Sequence, residues 1–174
     1  MNVFRALCIS ITLIFEISIS YAEGFKPGDI LLAPMNCYLC RLIEGETNSE
    51  YSHLFIYISE GKFAHSLRSV EYIRLNQIKK IVDSTRPMLH LRLKQRANLQ
   101  EDMLIDIFEN KFLGLPYDKD FRWNNFNKQG EEKLYCSEFV LKLLNMAFDL
   151  NLEPLPMSYD KYFDYWNEVK FEKK

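Results

Sequence analysis

Short apolar segments, some alternating with other residues and some continuous, predict β-strands in the first half of the chain. They cover 30–32, 54–58, 70–75 and 88–93. After 54–58 the chain reads Ser59-Glu60-Gly61, and 62–66 then continues as the returning arm of a hairpin. A three-residue loop that ends in glycine is typical of a type I turn with a bulge.

Apolar residues at helical spacing predict helices between and after these strands. A short helix is expected over 34–44, a helical turn over 77–82 and a last helix over 159–169. Asn98 and Glu101 resemble a capping box for a helix that Gly114 closes, with Leu99, Met103, Leu104, Ile107 and Phe108 on one face. The clearest helix begins at Cys136 and buries Phe139, Val140, Leu143, Leu144 and Ala147. Polar residues at 45–50 and 115–133 predict loops, and the whole pattern favours one α+β domain.

The first 22 residues are predicted to be a signal peptide. Arg5 precedes an apolar stretch over 6–15, and Ser20-Tyr21-Ala22 is a small-x-small cleavage site. The apolar stretch is shorter than the about 20 residues that span a membrane, and no lipobox precedes Cys8. We therefore expect an exported, periplasmic or secreted protein without stable membrane insertion, whose single mature domain covers 23–174.

Charge and composition exclude few classes of function. A net charge of −2 gives no bulk attraction to nucleic acid, so no nucleic-acid partner is expected. The aromatic content of 14% fits either an aromatic-lined groove or a well-filled core. The oligomeric state is not indicated by the sequence.

Three cysteines remain after removal of a signal peptide: Cys37, Cys40 and Cys136. In an oxidising compartment thiols tend to pair, and a pair of Cys37 with Cys40 leaves Cys136 as a candidate reactive thiol. No parallel β-α-β pattern surrounds Cys37-x-x-Cys40, and two cysteines without further ligands are weak evidence for zinc. The pair is interpreted as a structural disulfide or two buried thiols, and no metal or cofactor is expected.

Cys136 and His53 are the candidate nucleophile and base. A helix N-terminus carries free N–H groups and partial positive charge, so we expect it to favour the thiolate of Cys136. His53 opens an apolar strand and is available as a general base. A cysteine on a helix and a histidine on a strand are the working pair of cysteine hydrolases, although either residue alone is more often a buried structural side chain.

His65 is the candidate third member. If the hairpin loop has three residues, Ile58 pairs with Lys62 and Phe55 lies opposite His65. His53 and His65 then become diagonal neighbours on one face, about 7–8 Å apart at the backbone. A ring hydrogen bond from His65 would hold His53 in one tautomer, but a one-residue change in register would remove it.

Four segments resemble the circularly permuted, YiiX-like branch of the NlpC/P60 superfamily of papain-like cysteine hydrolases. They are Gly28-Asp29-Ile30-Leu31, the strand from Ser52-His53-Leu54, Gly114-Leu-Pro-Tyr-Asp118 and Tyr135-Cys136-Ser137-Glu138-Phe139. The order of histidine before cysteine agrees with permutation. The resemblance implies an antiparallel sheet packed against helices, with Cys136 as nucleophile, His53 as base and a polar third residue. His65, twelve residues after the base, matches the spacing of lecithin:retinol-acyltransferase-like relatives.

Residues beside the pair have predicted supporting roles. Tyr51, Tyr135 and Ser137 are expected to bind substrate or form the oxyanion site. Asp118 is expected to fix the preceding loop through local backbone hydrogen bonds. For Glu138, in the first helical turn, a structural role with the helix dipole is preferred over a catalytic one.

Three functions compete. The resemblance favours an exported amidase that forms an acyl-enzyme and acts on small peptides such as peptidoglycan stem peptides. The alternative is a lipid-ester or acyl hydrolase or acyltransferase, with Leu54 and Phe55 and the loop aromatics Phe121, Trp123 and Phe126 lining an acyl groove. A non-enzymatic binding module on the same fold is the third.

Overall fold

The computed structural model describes residues 24–93 and 101–153. Five strands form one antiparallel sheet in the order β4-β3-β2-β1-β5. The strands are β1 (Ile30–Ala33), β2 (His53–Ser59), β3 (Lys62–Ser66), β4 (Val70–Arg74) and β5 (Leu89–Leu91). All the predicted strands are confirmed, with shorter bounds for the last two.

The described helices are α1 (Tyr38–Thr47), α2 (Leu75–Ile81), α3 (Glu101–Ile107) and α4 (Cys136–Phe148), and α3 continues into a π-helical turn, Phe108–Phe112. The predicted bounds of α1, with a loop over 45–50, are wrong. The helix begins later because the Cys37 sulfur caps it, accepting a hydrogen bond of 3.1 Å from the Cys40 N–H. It ends at Thr47, and Asn48, which caps it, has a left-handed φ of 48°.

The β2–β3 hairpin has a different turn from the predicted one. Glu60 and Gly61 both have positive φ, which makes a two-residue type I′ turn, and Ser59, not Ile58, pairs with Lys62. Ile58 is an extra residue in β2 and forms a bulge. Because the bulge compensates for the shorter loop, the strands keep the predicted register beyond it.

Helix α4 covers one face of the sheet. Its predicted core residues are all buried against the β2 and β3 side chains Ile56, Ile58 and Ala64. The opposite face of the sheet forms a second core around Phe55, Phe63 and the α2 residue Ile78, among others. In α3 the Met103 side chain is 40% exposed, while Leu104 beside it is buried.

The predicted loop 115–133 contains a small hairpin that was not predicted, in which β6 (Asn125–Phe126) pairs with β7 (Glu132–Lys133). The predicted signal peptide, the Asn98 capping box and the helix over 159–169 lie outside the described residues. Within the described ranges, every helix is too short or too polar to cross a membrane.

Candidate active site

Cys136 is the first residue of α4, as predicted, and its side chain is buried. The backbone N–H groups of Ser137 and of Cys136 itself interact with the sulfur and favour its ionisation. Burial opposes them more strongly and raises the pKa of the thiol to about 11. The start of the helix therefore favours the thiolate, as expected, but burial outweighs this effect, and Cys136 keeps its proton at neutral pH in the free protein.

His53 and His65 are both buried and share a hydrogen bond. Nε2 of His53 lies 3.1 Å from Nδ1 of His65, which is the ring contact that the hairpin register predicts. Phe55 packs against both rings, with centroid distances of 4.8 and 5.1 Å. Burial lowers the pKa of His53 to about 3, with a smaller contribution from His65, and lowers that of His65 to about 4. Both rings are neutral at pH 7, so one nitrogen in the hydrogen bond donates and the other accepts.

The start of α4 lies at the end of the sheet where these histidines lie. His53 is the first residue of β2, and His65 is the residue before the last in β3. Ser66, the next residue, donates a hydrogen bond of 2.6 Å from its hydroxyl to the carbonyl of Leu134, two residues before Cys136. The imidazole rings share a face with Phe55, whereas the body of α4 packs on the other face. The site is therefore built around the end of the sheet.

A polar network that the sequence pattern did not predict holds the segment that leads into His53. The Ser52 hydroxyl donates to Glu44 of α1 at 2.8 Å and accepts from the Met35 N–H at 3.0 Å. Arg86 donates to both carboxylate oxygens of Glu44, at 2.8 and 3.1 Å. No sequence pattern links these residues, because they come from three separate segments.

Glu44, on α1, connects this network to the start of that helix, where Cys37 and Cys40 form a disulfide. Of the two open interpretations of this pair, the disulfide is the one observed.

His90 lies elsewhere, on β5, and donates to the buried carboxylate of Asp29 at 2.8 Å.

Asp118 makes the local backbone bonds predicted for it. Its buried carboxylate accepts from the Asp120 N–H at 3.0 Å and the Arg122 N–H at 2.7 Å. Lys133 of β7 also lies 3.2 Å from it. Asp118 therefore stabilises the loop that precedes Cys136.

Glu138 is buried and connects α4 to the same loop. One of its oxygens accepts from the Asn124 N–H at 2.8 Å and from Lys142 at 2.7 Å. Among the residues that the structure describes, the other oxygen has no hydrogen-bond partner, and burial raises the pKa of the carboxyl group. These contacts fit a structural role.

The three residues predicted to bind substrate, Tyr51, Tyr135 and Ser137, differ in burial and position. Tyr135 contacts Phe121 at a ring distance of 5.7 Å, and burial raises the pKa of Tyr135 to about 12, so its hydroxyl stays protonated. Ser137 is exposed beside Cys136, and Tyr51 is half-buried two residues before His53. Their roles toward a substrate remain predictions. Across 24–93 and 101–153, no three His, Cys, Asp or Glu residues are grouped as ligands for a metal ion.

Comparisons with known proteins agree with this arrangement. A family described as permuted papain-like amidase enzyme, YaeF/YiiX, C92 family, matches residues 24–164. A crystal structure titled metalloprotein yiiX from Escherichia coli O157:H7 is similar in fold, with a TM-score of 0.61 and 23% identity. The match covers 74% of this chain and 69% of that one. No curated protein sequence gives a significant match. With most of its length matched, the chain belongs to the C92 family of permuted papain-like amidases, which are cysteine hydrolases.

Proposed function

We propose that this protein is an exported amidase that cleaves peptide amide bonds through an acyl-enzyme on Cys136. One observation carries the proposal: the hydrogen-bonded pair of His53 and His65 lies at the end of the sheet where α4 starts with a buried thiol. Membership of the amidase family gives the reaction class. His53 is proposed as the base and His65 as the residue that orients it.

The protonation states set the order of the first step. The thiol, with a pKa of about 11, and His53, with a pKa of about 3, do not form a thiolate–imidazolium pair in the free protein. His53 therefore takes the proton as the sulfur attacks the carbonyl carbon, rather than before it. The N–H groups at the start of α4 stabilise the oxyanion.

The remaining steps return the proton and release the product. The imidazolium of His53 gives its proton to the leaving amine as the C–N bond breaks, leaving a thioester on Cys136. His53 then accepts a proton from a water molecule that attacks this thioester, and the acid product and the free thiol are formed. Each proton that His53 accepts is returned within one turnover.

Peptidoglycan stem peptides are the substrate class that we propose first. Their amide bonds match the reaction class, and a cell envelope is where a protein with the predicted signal peptide would meet them. This assignment rests on the resemblance and on the predicted export.

Exposed aromatic side chains favour the acyl alternative as a second candidate. Phe126 of β6 is 57% exposed and Trp123 is 37% exposed, and Lys142 of α4 lies 4.7 Å from the Trp123 ring centre. However, Phe55 is fully buried and Leu54 packs against the α4 core, so neither lines a groove as predicted. An acyl chain would lie on the loop aromatics instead.

The test compares a stem peptide with short and long acyl esters, using the mature chain and Cys136→Ser. The variant should lose turnover of the peptide while keeping its melting temperature, because a hydroxyl is much harder to ionise than a thiol. Near-normal turnover in Cys136→Ser would remove Cys136 from the mechanism. Cleavage that is confined to long-chain esters in the wild type would replace the peptide substrate by the acyl one.

A further inference from the structure

Glu71 continues the row of polar side chains that begins with the two histidines. His65 of β3 and Glu71 of β4 are direct cross-strand partners. Oε1 of Glu71 lies 3.8 Å from Nε2 of His65, the ring nitrogen that His53 does not contact. The His65 side chain is 3% exposed, whereas that of Glu71 is 49% exposed. The buried imidazole pair therefore has a carboxylate at its outer end.

The hydrogen bond between the histidines allows two arrangements. In the first, His53 donates from Nε2, His65 accepts at Nδ1, and the hydrogen of His65 is on Nε2. In the second, His65 donates from Nδ1, its Nε2 carries a lone pair, and His53 has its hydrogen on Nδ1. Nδ1 of His53 therefore carries a lone pair in the first arrangement and a hydrogen in the second.

The charge on Glu71 distinguishes these arrangements. In the first, an N–H of His65 points toward the carboxylate, which is attractive. In the second, a lone pair on the same nitrogen is directed at the negative charge, which is repulsive. At 3.8 Å the contact is too long for a direct hydrogen bond, so the effect is electrostatic, and it is strengthened because His65 is buried.

We propose that Glu71 is a positioning residue, which fixes the tautomer of His53 through His65 so that Nδ1 of His53 carries a lone pair. That nitrogen is then the one able to accept the proton of a thiol. The effect on rate rests on the proposed function, whereas the tautomer itself does not. Glu71 touches neither Cys136 nor substrate in this scheme.

The test is ¹⁵N NMR of histidine-labelled mature protein at pH 7, where a ring nitrogen with a hydrogen is distinguished from one without. In the wild type His53 should carry its hydrogen on Nε2. Glu71→Leu should increase the population with hydrogen on Nδ1, and Glu71→Asp should restore the wild-type pattern. Glu60→Gln is the matched control, since it removes one negative charge from an exposed turn residue, and its spectrum should be unchanged.

Kinetics provide the second measurement. Glu71→Leu should lower kcat by roughly tenfold with little change in KM. This is the smaller of the activity losses typical when a residue that orients a metal-bound histidine is mutated. A wild-type His53 with hydrogen on Nδ1, or an identical tautomer in Glu71→Leu, would overturn the inference. A protein that cleaves no amide but shows the tautomer change would instead refute the proposed function and leave this inference standing.

Discussion

The hydroxyl of Ser66 donates a hydrogen bond of 2.6 Å to the carbonyl of Leu134, across 68 residues of sequence. It joins the end of β3, next to His65, to the segment that leads into α4. Both residues are fully buried, so water cannot replace the bond. This contact ties the strand that carries His65, the proposed orienting residue, to the helix that carries Cys136, the proposed nucleophile.

Replacing Ser66 by Ala should lower both stability and activity. The Leu134 carbonyl would be left buried without its donor, which costs about 1–3 kcal/mol of unfolding free energy. Because the start of α4 is then less firmly held, kcat should fall while KM changes little. Urea unfolding and steady-state kinetics measure the two effects, with Ser59→Ala at the far end of β2 as the control that keeps normal kcat.

The two histidines should differ in their effect on rate. His53→Ala removes the proposed base and should cost about 10²–10⁴-fold in kcat, whereas His65→Ala removes only the proposed orienting contact and should cost less. Single-turnover measurements on both variants give the comparison. A larger loss in His65→Ala would show that the two roles are exchanged.

Alkylation of Cys136 should be slow at neutral pH and increase steeply with alkali. The raised pKa of about 11 means less thiolate at any given pH than for an ordinary cysteine. With the disulfide intact, the rate should increase about tenfold per pH unit between pH 7 and pH 10, since only the thiolate reacts. Urea-unfolded protein should follow an ordinary thiol pKa, and a plateau of the folded protein's rate at pH 6–7 would indicate a preformed ion pair instead.

Removing the disulfide should have a modest effect. Cys37 and Cys40 are three residues apart, so the bond constrains little of the unfolded chain, and the Cys37→Ala/Cys40→Ala variant should lose at most about 2 kcal/mol. Activity should remain measurable, because the disulfide reaches His53 only through α1 and Ser52. Thermal unfolding and an activity assay test this. Loss of activity in a protein that stays folded would mean that the pair is redox-active or lines the site.

Local sequence pattern predicted the elements that carry the site. The apolar spacing after Cys136 identified the buried face of α4 without error, because a helix against a sheet needs that period. The register of His53 and His65 was also predicted, although the turn was not. A shorter turn and a bulge at Ile58 cancel each other, so the residues beyond the bulge keep their partners.

The order of residues along the chain by itself determined the strands, the helix that begins at Cys136 and the pairing of the histidines, since these depend on local periodicity and on counting through one hairpin. Tertiary structure alone decided the charge states of the site residues and the contacts that hold them in place. The pKa of Cys136 depends on how much water the packed core excludes, and burial outweighs the helix N-terminus. Glu44, Arg86 and Glu71 become neighbours of the site only when distant segments or adjacent strands meet, and periodicity carries no information on such contacts.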